Sequence, residues 1–428
     1  MADEKVEMNQ SSEQGKSDNN QSGMNDNQEK SANSATPEAT EKKKVADQEK
    51  TEVKAKPSKE KPVKEKKPEI PVRRFTLSSS PHIRDTDSVQ KIMSTVTITL
   101  LPAILGAAWI FGFRALMLIF LGMAGAIITE WVLQKLFGAK TTVADGSAML
   151  TGLLLSFNLP AGVPWWIPVV GSVFAISIAK LPFGGLGYNP LNPALAGRAF
   201  LLASWPLHMT KDWLPAFWWK GSGYGYFAWK VEASKFLVDG QSYATPLEVS
   251  KSALTTIKSE NVPELVAAAH QTLSTVGDLL FDLIKGNVGG CIGETSALLI
   301  LIGAAYLLYK NYIDWRTPFS FIGVVAIGGW IFGGTSFFTG DMMFHIFAGG
   351  LILGAFYMAT DMVTSPITPK GRLIFGAGCG LITLMIRMIG GYPEGVSYAI
   401  LLMNLTVPLI DRWFVPKRFG HKTIKAQN

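Results

Sequence analysis

The sequence predicts an all-α polytopic membrane protein of about ten transmembrane helices in a 5+5 inverted repeat, with one long outer-side loop. Three observations predict it. From about residue 95 the chain breaks into apolar runs close to the roughly 20 residues that a helix needs to cross a bilayer. The runs fall five on each side of a polar stretch over 206–294. Several are short and interrupted by Gly or Pro at matching places in the two halves, as the broken helices of an inverted repeat are.

Before the first run, residues 1–72 are Lys, Glu, Asn, Ser and Gln with scattered Pro and no aromatic side chain. Such a tail cannot bury enough apolar surface to offset its ordering entropy and is expected to be disordered. It lacks the apolar core and cleavage site of a signal peptide. Its Lys-Pro stretch from Lys61 to Lys67 suits anionic lipid or an acidic partner surface, and no nucleic acid partner is expected.

The first membrane half, 73–205, has runs near 94–112, 114–137, 146–160, 164–181 and 193–205. The second, 295–415, has runs near 295–310, 317–335, 343–360, 371–390 and 395–414. The third run and the fifth are short, and the eighth is loosened by Gly349, Gly350 and Gly354. Gly152-Leu153-Leu154-Leu155 in the third has a faint counterpart in Gly350-Leu351-Ile352-Leu353 in the eighth, a match that chance also produces in apolar helices.

Lys and Arg in the short turns set the orientation. With the N-terminus inside, the cytoplasmic turns hold Lys135, Lys140, Lys180, Lys310, Arg316, Lys370 and Arg372, and the opposite turns hold little beyond Arg114 and Arg387. Both termini, including the 416–428 tail, are therefore expected in the cytoplasm of a cell inner-membrane protein, and the 206–294 loop on the outer face. Trp205, Trp213, Trp218, Trp219 and Trp229 fit an interfacial belt beside that loop.

Composition narrows the chemistry. Two cysteines, Cys291 and Cys379, are too few and too far apart for an iron–sulfur cluster or Cys-rich zinc site within this chain, and they read as buried packing residues. The five histidines are scattered, so no metal site is predicted.

The candidate functional segment is Asp239-Gly240-Gln241-Ser242-Tyr243-Ala244-Thr245-Pro246-Leu247, in the long loop. It offers the Thr245 hydroxyl as an acceptor, with Asp239 six positions earlier and the small residues Ser242 and Ala244 beside it. A transferase that brings a threonine Oγ in line with a pyrophosphate needs an exposed, narrow segment, and supplies the base itself. The same residues also read as a turn before a helix starting near Pro246. Among residues inside the membrane, Asn192 opens a short helix at Pro193 behind a Gly-rich loop, and Arg198, one turn in, needs a carboxylate, a helix C-terminus or a cofactor. Glu130, Asp145, Glu294, Asp361 and Asp411 are acids at or near helix ends that read as caps, turns or parts of an ion path.

The Thr245 segment resembles the phosphothreonyl-FMN attachment sequence of the RnfD/NqrB family. Further segments agree in order and spacing: Ser80 to Arg84, Asp145 to Ala148, Gly184 to Asn189, Asn192 to Phe200 and Gly290 to Leu298. The chain is most similar to the RnfD subunit of the Rnf ion-translocating ferredoxin:NAD oxidoreductase, and less so to NqrB of the sodium-pumping NADH:quinone reductase. The resemblance implies a urea/ammonium transporter-like fold, FMN joined by a phosphoester to Thr245, and a non-covalent riboflavin in the bundle. It implies electron transfer coupled to Na+ or H+ movement, with no catalytic triad in this chain. Implied partners are the other Rnf subunits, among them a second covalent-FMN subunit and iron–sulfur subunits, the flavin transferase, and the lipid bilayer. Asn192 and Arg198 are then flavin contacts. The competing expectations are an NqrB-like quinone-reducing subunit, a non-redox solute channel of the same fold, and a scaffold without flavin.

Overall fold

The computed structural model describes residues 87–220, 225–228, 245–259, 262–294, 296–392 and 394–415. Each of the ten apolar runs is helical there, and the one β feature among the described residues is an isolated bridge between Pro160 and Cys291. The N-terminal tail and the 416–428 tail lie outside the described residues.

The first half comprises α1 (Val89–Thr99), α2 (Leu101–Phe111), α3 (Phe113–Leu136), α4 (Ser147–Phe157), α5 (Trp166–Ser177) and α6 (Pro193–Ser204). α1 starts ahead of its apolar run because Ser88 accepts the N–H of Lys91 at 3.2 Å, a side-chain cap that polar residues supply and hydropathy misses. Among the described residues, four spans are long and apolar enough to cross a membrane: Val89–Phe111, Phe113–Leu136, Trp166–Phe183 and Pro369–Met388. α4 is 11 residues long and gives way to irregular backbone at Asn158.

Residues 206–294, expected as a loop, carry α7 (Pro206–Thr210), α8 (Pro246–Ser259), α9 (Pro263–Gly277) and α10 (Leu280–Lys285). Pro246 and Pro263 sit in the first turns, where the missing N–H costs nothing, and Leu247, Ser250 and Ala253 form the buried face of α8.

The second half comprises α11 (Ala297–Tyr309), α12 (Arg316–Phe332), α13 (Met342–Phe347), α14 (Leu351–Leu353) running into a π turn at Gly354–Met358, α15 (Pro369–Met388) and α16 (Val396–Trp413). The eighth run is broken between α13 and α14 at Ala348 and Gly349, whose φ is 70°.

Helix pairing recurs. α3 packs on α4 and α5, and α5 on α6; α12 packs on α13 and α15, and α15 on α16. α11 lies against α1 and α2, and α6 against α16. The tightest crossings use glycine: a Cβ on Gly152 would stand 2.4 Å from the Gly122 carbonyl, and one on Gly376 would stand 2.4 Å from that of Thr317. Small residues allow such approach where lipid gives no hydrophobic drive for helices to associate. The centre, where α4 ends beside the π turn, is filled by Phe157, Leu159 and Met358, each at most 1 % exposed.

Candidate functional site

Thr245 does not stand free as an attachment segment would require: it is 5 % exposed, and its Oγ1 accepts the N–H of Glu248 at 3.3 Å while its carbonyl accepts that of Val249 at 3.0 Å. It caps α8, as the turn-before-helix expectation has it. Asp239, Ser242 and Ala244 lie outside the described residues. α8 is pinned by Lys251, whose ammonium donates to the carbonyls of Ile386 at 3.4 Å, Tyr392 at 3.3 Å and Gly390, the last turn of α15 and the backbone beyond it. Burial pushes the Glu248 carboxyl above its ordinary range, aided by the nearby charge of Glu394, and burial lowers the Lys251 ammonium.

Glu248, one turn after Thr245, lines a cavity of about 210 Å³ together with Arg198, Trp213, Tyr392, Glu394 and Tyr398. Arg198 reaches it from α6. Asn192 caps that helix, its Oδ1 accepting from Ala194 at 3.1 Å and Leu195 at 3.4 Å, and its Nδ2 donates to the Met358 carbonyl at 3.4 Å. Asn192 therefore fixes α6, and Arg198 follows from that placement. The guanidinium is 8 % exposed; it donates to Asn158 Oδ1 at 3.2 Å and Ser397 Oγ at 2.7 Å, and pairs with the Glu394 carboxylate. The sequence requires some partner for Arg198, and the structure supplies Glu394, a residue that hydropathy and Lys/Arg counting leave unmarked in its glycine- and proline-rich turn.

A short backbone pairing lies beside Arg198. Ile292 and Gly293 donate to the carbonyls of Leu159 at 2.9 Å and Phe157 at 2.8 Å. This threads Cys291 and Glu294 beside Arg198; both cysteines are buried as expected, at 0 % exposure, and Cys291 also borders the charged cluster. The ligand atoms of Cys291, Glu294 and Glu394 lie within 4.8 Å of one another.

Three cations expected in turns are buried instead. Lys180 pairs with Glu130 at 2.8 Å and donates to Ser147 Oγ at 2.6 Å. Arg114 donates to the carbonyls of Ala161, Gly162 and Val163 at 2.8–3.0 Å, and Arg387 to those of His345 at 2.6 Å and Ala348 at 2.9 Å. In each half a buried arginine thus satisfies carbonyls freed where a helix is broken, which non-helical backbone at membrane depth requires. Asp145, Asp361 and Asp411 accept backbone N–H groups of Ser147 at 2.7 Å, Val363 at 3.4 Å and Ile367 at 3.1 Å, and so hold turns.

The model of the NQR2, RnfD, RnfE family matches residues 76–420. The D component of the proton-translocating ferredoxin:NAD(+) oxidoreductase complex of Clostridium ljungdahlii is 46% identical over 347 residues, 81% of this chain and 96% of that protein. The D component of the Na(+)-translocating ferredoxin:NAD(+) oxidoreductase complex of Acetobacterium woodii is 46% identical over 354 residues, 82% and 98% of the two proteins. That of the ion-translocating oxidoreductase complex of Yersinia pseudotuberculosis is 36% identical over 367 residues, 81% and 99%. With nearly all of the helical region matched, this chain belongs to the NQR2, RnfD, RnfE family.

Proposed function

We propose that this chain is the flavin-bearing membrane subunit of an ion-translocating ferredoxin:NAD+ oxidoreductase complex, with FMN joined by a phosphoester to Thr245. The observation that carries it is that Glu248, one helical turn from Thr245, lines a cavity together with Arg198 and three aromatic rings. Those residues fit a tricyclic ring with polar edges. Trp213, Tyr392 and Tyr398 offer apolar faces, and Arg198 offers donors for carbonyl oxygens. At about 210 Å³ the cavity is smaller than the ~300–1,000 Å³ usual for ligand sites and would take part of the ring system, whereas the one lined by Ser147, Lys180, Asn189, Asn192 and Asp361 holds about 70 Å³, too little for the riboflavin that the family resemblance implies.

Attachment forms the Thr245 Oγ–P bond and breaks the FAD pyrophosphate, releasing AMP, with the hydroxyl proton passing to the transferase. Because Thr245 is buried and caps α8, its hydroxyl must leave the cap for the reaction. With FMN attached, the N–H groups at the start of the 14-residue α8 would hold its phosphate, since they and the macrodipole favour an anion there. When bound, the flavin supplies one- or two-electron redox chemistry. Lys251 holds α8 against the end of α15 so that the tether stays at the cavity rim, and Arg198 presents positive charge to it.

The proposed topology is the inverted repeat, ten spans with both termini inside and Thr245 outside. It is supported by the recurring α3/α5 and α12/α15 pairings and by the half-length helices that carry Gly152 to Leu155 and Gly350 to Leu353. The packed centre at Phe157, Leu159 and Met358 favours this reading over a solute channel, which needs a continuous polar path. The coupled ion differs between two relatives of equal similarity, so ion choice is set by local residues and not by the fold. The test is a denaturing gel of protein made with its transferase: an ultraviolet-fluorescent band is expected from the wild type and none from Thr245→Val. A band that survives the substitution moves the flavin elsewhere.

A further inference from the structure

Behind the cavity wall at Arg198 and Glu394 lies more charge than that ion pair uses. Glu394 gives one oxygen to Arg198, but Glu394 Oε1 and Glu294 Oε1 are both sealed from solvent without a hydrogen-bond partner among the described residues. Glu294 Oε1 lies against Gly350, where a Cβ would stand 2.4 Å from it. Arg387, 3 % exposed, borders the same spot: a Cβ on Gly349 would lie 3.4 Å from its Nη2 and 3.9 Å from Glu394 Cγ. Its Nε is also without a partner among the described residues. The groups that face the pair are Arg198 from α6, Arg387 from α15, Cys291, Glu248 from α8, and Tyr398 from α16.

Arg198 and Arg387 match the two carboxylates in charge, but Arg387 gives its Nη groups to the carbonyls of His345 and Ala348, so each Oε1 is left without a donor among the described residues, a cost that a cation or a proton between them would remove. A hard cation is poorly served here, since one of the three nearby donor atoms is a thiol and one carboxylate is already engaged by Arg198. A proton needs only the two oxygens. We propose that Glu294 and Glu394 share one proton at neutral pH, leaving the cluster that they form with Arg198 and Arg387 net positive beside the cavity, and that an electron entering the cavity tightens the hold on that proton.

The balance is one electron in and, where the pair has lost its proton, one proton in from the outer aqueous phase; an O–H bond forms on a carboxylate and no other bond changes. The shared proton stands on the cluster alone, whereas the redox link rests on the flavin reading above. Infrared difference spectra across a pH titration of the assembled complex separate the two. A deuterium-sensitive carboxylic C=O band is expected in the wild type and in flavin-free Thr245→Val, and is expected to vanish in Glu294→Gln. If Glu294→Gln fails to assemble, Glu294→Asp, which keeps a carboxyl and should shift the band without removing it, serves as the second variant. Spectra of the wild type and Glu294→Gln that match in the carboxylic region overturn the shared proton. In the flavinylated complex, a tenfold change in proton concentration should move the midpoint potential by up to ~59 mV for one electron, and Glu294→Gln should flatten that slope. An unchanged slope after loss of the infrared band overturns the redox link.

Discussion

Two buried ion clusters sit in this bundle and differ in completeness. In the first, Lys180 and Glu130 have side chains only 2 % and 1 % exposed, and both carboxylate oxygens are used: Oε2 by Lys180 at 2.8 Å, Oε1 by Gln134 and Thr142, each at 3.1 Å. In the second, Arg198, Glu394, Glu294 and Arg387 leave two carboxylate oxygens and one guanidinium N–H unmatched among the described residues, and the cluster opens on a cavity next to Thr245. Burial of charge is common to both. What separates a structural cluster from a working one is the unspent hydrogen-bonding capacity, because a satisfied network fixes geometry while an unsatisfied one is held in place for something else.

The comparison can be broken by mutation. The largest effect is expected from Lys180→Met, which leaves Glu130 charged and unpaired at a cost of about 3–5 kcal/mol, read as a loss of thermal stability of the purified complex. The double variant Glu130→Gln with Lys180→Met should recover most of it. Equal damage from the double variant would mean that the pair is not what holds α3 to the turn after α5.

Gly350→Ala comes next. The added methyl meets Glu294 Oε1, and overpacking of this kind costs roughly 1–3 kcal/mol, measurable in the same assay. Glu294→Gln, in contrast, removes one of two facing carboxylates and should change stability by less than about 1 kcal/mol, in either direction, despite the site's burial. A loss as large as that of Lys180→Met would place the second cluster among the structural ones. The smallest shift is expected for Lys251→Met, which frees carbonyls at the end of α15; its cost is about 1 kcal/mol, with raised fluorescence depolarisation of the tethered flavin as the sharper readout.

Much of the architecture is legible in the chain, because each apolar run is helical and hydropathy marks it directly. Boundaries slip where a polar cap decides them, as at Ser88. The helices α8 and α9 escape a hydropathy reading because a half-polar amphipathic pattern in a long connecting segment does not register as a span. Lys180, Arg114 and Arg387 read as turn residues since basic side chains near helix ends are weighed as topology signals; their burial depends on partners far along the chain, such as Glu130, 50 residues from Lys180. Arg198 announces its need for a partner by sitting in an apolar helix, yet Glu394 is 196 residues away and only the meeting of α6 with α16 selects it. Thr245 is legible as a motif, but its burial as the cap of α8 is not.

The central claim is the bond between Thr245 and FMN at the rim of the Arg198 cavity. Mass spectrometry of the proteolytic peptide spanning Thr245, from protein made together with its flavin transferase, tests it most directly. The prediction is a peptide carrying one flavin mononucleotide, with fragment ions that place it on Thr245. An unmodified peptide, or a flavin located on any other residue, would contradict it.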